Sequence, residues 1–176
     1  MNLQLLPIGK LEGGLLTDLA SALADVFCVP CEIVRSALDP DFAFHGERQQ
    51  YHSSEILAHM QSMVTPSTWR MLGVCGGDLY IPILTFVFGE AQVGGTCAVV
   101  SLHRLRQEFY GLPADRKLLR ARLLKEAVHE LGHTLNLTHC DDYQCVMASS
   151  HAVEWIDLKE SRLCPDCHAR IFEPIS

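Results

Sequence analysis

No stretch of this 176-residue chain approaches the ~18 consecutive apolar residues that a membrane-spanning helix needs, which argues against a membrane partner. The first residues, MNLQLLPIGKLEGGLL, lack a basic segment, a continuous apolar core and a small-residue cleavage site. They do not read as a secretory signal, and the expected compartment is the cytoplasm. No inhibitory pro-segment is expected from such a start. Positive charge is scarce too. Fourteen Lys and Arg stand against 21 Asp and Glu, a formal net charge of −7, which speaks against a nucleic-acid partner held by bulk charge. No segment is repeated or of low complexity. Apolar residues, by contrast, are not scarce. At 48% of the chain they exclude a disordered protein and suit one globular domain over 1–176.

What is abundant is His and Cys, with 9 and 8 copies. Such a load either staples a secreted fold or binds metal, and a reducing compartment favours thiols and metal sites. Residues 1–7 read as a strand. Thr17 or Asp18 can cap a helix running to about Phe27, with Leu15, Leu19, Leu23 and Val26 on one face. Cys31–Leu38 reads as a strand and Asp39–His52 as an exposed loop. Ser53 or Ser54 can cap a second helix, along which Ile56, Leu57, Met60, Met63 and Val64 keep helical spacing up to Pro66. Three strand-like runs follow, Trp69–Val74, Ile83–Phe88 and Thr96–Leu102, with turns at Gly76-Gly77 and Gly94-Gly95. A long helix starts near Asp115, runs to about Leu135 and carries a Leu stripe. Helices interleaved with strands predict an α/β sheet layered with helices.

The long helix contains His129-Glu130-Leu131-Gly132-His133. Residues four apart differ by about 40° around a helix axis, so both imidazoles share a face one turn apart and can reach one Zn²⁺. Glu130 lies between them in sequence, placed to act as a base toward water. This is the HExxH arrangement of zinc hydrolases. A third His, His139, follows six residues after His133. On a continued helix it would be rotated about 240° away. It can join the other two only if the helix stops and the chain turns back. Asn136 is placed for that, because Asn tolerates the left-handed conformation that ends helices.

With these residues the sequence resembles the metzincin metalloproteases, whose pattern is HExxHxxGxxH followed by a Met-turn. Asn136 stands at the Gly position, and Met147 would be the Met-turn methionine beneath the zinc. The resemblance is closer to the archaemetzincin family, which adds Cys140 directly after His139, then Cys145, Met147 and the pair Cys164-Pro165-Asp166-Cys167. That core spans 129–167. Upstream, Arg48-Gln49-Gln50-Tyr51, Asp78-Leu79-Tyr80 and Phe86-Val87-Phe88-Gly89 also resemble the family. The resemblance implies a mixed five-stranded sheet with helices, an active-site zinc helix and a small irregular C-terminal subdomain. An N-terminal sheet-and-helix unit would span 1–138 and the C-terminal unit 139–176, with the cleft between them. The strand before the active-site helix, within Gly95–Leu102, would be an edge strand over that cleft. Ser149 stands where many metzincins have a Tyr, so no such Tyr is assigned.

Cys140, Cys145, Cys164 and Cys167 form a two-plus-two set suited to a closed, tetrahedral structural zinc site, and the resemblance implies the same. Two disulfides are the alternative. The last 35 or so residues carry few large apolar side chains, so they need such a staple. Cys28 and Cys31 read as incidental thiols at a helix-to-strand corner, and Cys75 and Cys97 as small core residues. His45, His52, His59 and His103 lack ligand spacing. His151 could line the cleft, and His168 could substitute at the cysteine site.

The expected activity is zinc-dependent hydrolysis of a peptide or protein substrate. Two zincs per chain are expected, one on His129, His133 and His139 and one on the four cysteines. Glu130 is the expected general base. The alternative is a zinc-stabilised binding or scaffold domain with weak or no proteolysis. A redox role for the CxxC pairs has little support.

Overall fold

The computed structural model describes residues 1–173, so the last three residues of the expected C-terminal unit lie outside it. The elements run β1 (Asn2–Ile8), α1 (Leu15–Phe27), β2 (Cys31–Ile33), β3 (Phe44–His45), β4 (Gln50–His52), α2 (Ser53–Met63), β5 (Thr68–Cys75) and β6 (Leu79–Tyr80). Then follow β7 (Gly89–Ala91), β8 (Cys97–Ser101), α3 (Arg116–Thr134), α4 (Val153–Leu158) and α5 (Pro165–Phe172). The main sheet has the order β2-β1-β5-β8-β7. Its first three pairings are parallel and β7 runs antiparallel to β8, so the mixed five-stranded α/β sheet is present. Helix crossovers that join parallel strands bury both faces of a sheet. Alternation along the strands divides the core accordingly. Leu3, Leu5, Leu72, Val74, Ala98 and Val100 face α1 and α3, while Leu6, Ile8, Met71, Cys75, Cys97 and Val99 face α2. Cys75 and Cys97 are thus small core residues, as expected.

Four local expectations need correction. Ile83–Phe88 is no strand, although its residues favour one. Pro82 precedes it, and its main chain pairs only in passing, Val87 N–H donating to the Leu79 carbonyl (2.9 Å). β8 is not an edge strand. It lies between β5 and β7, and the short β7 takes the edge. The strand after α1 ends at Ile33, with only Leu38 returning to bridge Ile8. Neither expected helix cap acts as one. α1 begins at Leu15 after Gly14, and Asp18 pairs with Arg120 of α3 instead (2.8 Å). The hydroxyls of Ser53 and Ser54 donate to the Glu90 carboxylate of β7.

α3 forms as read. The Asp115 carboxylate accepts from the Leu118 N–H (2.9 Å), capping the first turn. Leu119, Leu123, Val128 and Leu131 bury its stripe. Arg122 grips Asp157 with two hydrogen bonds (2.8 and 2.6 Å), which docks α4 onto α3. Beyond α3 the chain is mostly irregular. Few apolar side chains there are buried, among them Val146, Met147, Val153 and Ile156, while Trp155 and Leu158 are exposed. No helix of the described residues is long and apolar enough to cross a membrane.

Candidate active site

α3 ends where the third His needs it to end. Asn136 takes φ 65°, its N–H donates to the His133 carbonyl (3.1 Å), and the Leu137 N–H donates to the Gly132 carbonyl (3.0 Å). These are the two bonds of a Schellman turn, with Asn in the position glycine usually holds. The turn brings His139 back to the helix. One ligand atom from each of His129, His133 and His139 lies within 4.8 Å of the others.

Hydrogen bonding fixes which ring nitrogens face one another. His129 Nδ1 lies 2.8 Å from the Val146 carbonyl and His133 Nδ1 lies 2.8 Å from the Leu137 carbonyl. A carbonyl only accepts, so both Nδ1 atoms carry the proton and both Nε2 atoms present lone pairs. Those two Nε2 atoms lie 3.2 Å apart. Two lone pairs at that distance repel unless a cation lies between them, and carbonyls orienting the far nitrogen are the usual support of metal-binding imidazoles. The donor set therefore fits zinc. Burial lowers the proton affinity of all three rings, most strongly for His129, which keeps them neutral as ligands must be.

Met147 is fully buried and its sulfur lies against the Cα of Gly132, in the turn of α3 between His129 and His133. A side chain at position 132 would collide with that sulfur. Above the rings runs a cleft of about 350 Å³. One rim is Leu84–Gly89, the floor is Glu126, His129 and Glu130, and the far rim is His139 with Ser149, Ser150 and His151. His151 does line the cleft. Gly89 rests directly on Glu130, since a Cβ there would fall 2.7 Å from Glu130 Cγ.

The four cysteines of the two-plus-two set also converge, with their sulfurs within 4.8 Å of one another. All eight cysteines are free thiols, and Cys140 Sγ and Cys164 Sγ are 3.8 Å apart, far beyond a disulfide bond. The N–H groups of Met147 and Cys164 point at Cys145 Sγ (3.4 and 3.3 Å). Cys164 leads into α5, where the backbone N–H of Cys167 pulls its thiol below the ordinary value. Burial pushes Cys140 and Cys167 up. His168 is exposed, against Phe172 and outside the cluster, so it does not substitute there.

Residues 25–173 match the family described as Peptidase family M54. The chain belongs to that family. It is 40% identical over 167 residues to an archaemetzincin of Methanocaldococcus jannaschii, which covers 95% of this chain and 90% of the relative. An archaemetzincin of Pyrococcus furiosus is 36% identical over 173 residues, with the same two coverages. Among solved structures, the archaemetzincin of Archaeoglobus fulgidus complexed with malonate superposes with a TM-score of 0.83 at 36% identity, over 97% of this chain and 100% of that one. A zinc-dependent peptidase from Methanocorpusculum labreanum gives 0.86 at 29% identity, with the same coverages. A zinc peptidase is what these relationships support, with a peptide or protein as substrate.

Two further residues of this M54 peptidase escape a reading of the motif. Glu126 lies one turn before Glu130 on α3 and shares the cleft floor. Lys159, just past α4, is almost wholly buried and reaches behind His129. Its Nζ sits 3.0 Å from Glu126 Oε1, at an angle outside hydrogen-bonding geometry, and donates to the Ala148 carbonyl (3.2 Å). It also lies 3.4 Å from His129 Nδ1. Helical spacing could have flagged Glu126 as a second inward carboxylate, but nothing local marks Lys159 as buried. Glu130 itself is raised well above the ordinary carboxyl range, by burial first and then by Glu126 and Glu90, with Lys159 opposing.

Proposed function

We propose that this M54 peptidase is of the metzincin type and hydrolyses peptide bonds with Glu130 as general base. His129, His133 and His139 would hold the catalytic zinc. Cys140, Cys145, Cys164 and Cys167 would hold a second, structural zinc, making two per chain. Zinc at the histidines supplies a Lewis acid that acidifies water and polarises a carbonyl. Glu130, on the cleft floor beside the His129 ring, takes a proton from the attacking water and returns it to the leaving amine. A carboxyl held above its usual range suits both halves of that transfer. Val146 and Leu137 keep two imidazoles in the ligating tautomer, and Met147 serves as an apolar floor. The compartment is the cytoplasm.

The observation that carries this reading is the pair of Nε2 lone pairs facing each other at 3.2 Å beside the Glu130 carboxyl. Glu130→Gln tests it. Hydrolysis of a diverse peptide mixture should fall by roughly 10²–10⁴-fold with both zincs retained. A variant as active as the wild type removes Glu130 from the reaction. A wild type that cleaves nothing in the mixture favours the binding or scaffold alternative.

A further inference from the structure

Before Gly89 the main chain of the rim Leu84–Gly89 is tied to other elements at its far end alone, by the Val87 N–H on the Leu79 carbonyl (2.9 Å) and the Ser101 N–H on the Phe88 carbonyl (2.8 Å), yet the rim forms one whole side of the cleft. Irregular segments of this kind are ordinarily mobile unless something ties them down. Here side chains do so, and they come from the upstream motifs that the zinc chemistry leaves unused. Arg48 donates from Nη2 to the carbonyls of Leu84 (2.6 Å) and Thr85 (3.3 Å). Its Nε donates to Gln50 Oε1 (2.9 Å). Gln50 Nε2 donates to the same Thr85 carbonyl (2.9 Å) and to Asp78 Oδ2 (2.9 Å). Asp78 in turn takes three hydrogen bonds from Arg104, Nε to Oδ1 (2.9 Å) and to Oδ2 (3.2 Å) and Nη2 to Oδ2 (2.8 Å). The Arg104 guanidinium then stacks 4.1 Å from the ring centre of Phe86, back on the rim.

The circuit therefore starts and ends on the rim and passes through Gln50 and Asp78, both buried. A buried polar network with every member paired rigidifies what it touches. It draws the Leu84 and Thr85 carbonyls into the clamp, while Phe86, Val87 and Phe88 line the cleft. At its far end the rim rests on Glu130 through Gly89. The clamp thus sets the height of the rim above the reacting groups without touching them.

We infer that Arg48, Gln50, Asp78 and Arg104 are positioning residues for peptide binding, holding Leu84–Gly89 as a fixed wall over His129 and Glu130. This rests on the zinc-peptidase reading, and Arg48 is the best handle on it because it is half-exposed and can be truncated without opening the core. In Arg48→Met, KM for a peptide cleaved by the wild type should rise roughly tenfold. kcat should stay within about twofold and zinc content should not change. Arg48→Lys keeps one donor and should recover part of the loss. Backbone amide exchange gives a readout that needs no activity: residues 84–88 should exchange faster in Arg48→Met while α3 stays protected. An unchanged KM, or unchanged exchange along the rim, overturns the clamp. A wild type that hydrolyses nothing counts against the peptidase reading alone, and the exchange result then decides the clamp by itself.

Discussion

The two clusters of candidate ligands are built in opposite ways. His129 and His133 project from a helix whose stripe is sunk in the main core, so the histidine site is a product of the fold. The four cysteines come from a stretch with little regular structure and few buried apolar side chains, so there the fold depends on the site. On the proposed reading, one site would position its metal and the other would be positioned by it. His139 and Cys140 are neighbours in sequence, which makes that residue pair the seam between the two modes.

The largest expected effect comes from attacking the cysteine side. Cys164→Ala should release the proposed structural zinc and loosen residues 140–173, lowering the melting temperature more than any change at the histidines. Zinc-finger peptides gain about 10–16 kcal/mol from such a site, which sets the scale. Metal analysis with amide exchange checks it, and a variant that retains two zincs and a protected C-terminal segment would break the comparison.

Next in size is Lys159→Met, which strikes the most deeply buried ion pair among the described residues, Lys159–Glu126. It leaves Glu126 buried and unpaired, and should destabilise the protein by about 3–5 kcal/mol in denaturant unfolding. Adding Glu126→Gln should return most of that stability. If the double variant is as unstable as the single one, the pair is not what ties Lys159 to α3.

The smallest effect belongs to the seam itself. Asn136→Ala forces a side chain without local hydrogen bonding into a left-handed conformation, at a cost of about 1 kcal/mol. Zinc affinity at the histidines should weaken, because the turn that returns His139 is strained, while the cysteine site is spared. Competition with a graded chelator separates the two. Equal loss at both sites would show that the seam does not insulate them.

The same contrast governs what could be read from the sequence. Where geometry is set within a turn or two, residues speak for themselves. The Asp115 cap, the spacing of His129 and His133, and the left-handed Asn136 are all local. Where geometry is set across the fold, residue type misleads. Ile83–Phe88 has strand-forming residues, but its carbonyls were claimed by Arg48 and Gln50, more than 30 residues upstream. Ser53 and Ser54 look like a cap, but Glu90 accepts their hydroxyls. The family resemblance makes β8 an edge, and nothing in its five residues announces that the shorter β7 covers it. Lys159 sits in a polar stretch and looks solvated until Glu126, on another element, is placed against it.

The contact between Gly132 and Met147 has a consequence for how such a sequence can drift. The sulfur occupies the volume where a side chain at 132 would begin, so the two positions are coupled although they lie fifteen apart in sequence. A larger residue at 132 requires the Met147 tip to move or shrink, and a smaller residue at 147 opens a void against the Gly132 turn of α3. The glycine inside the HELGH motif is therefore free to change only as far as the methionine tip of the later turn can move aside.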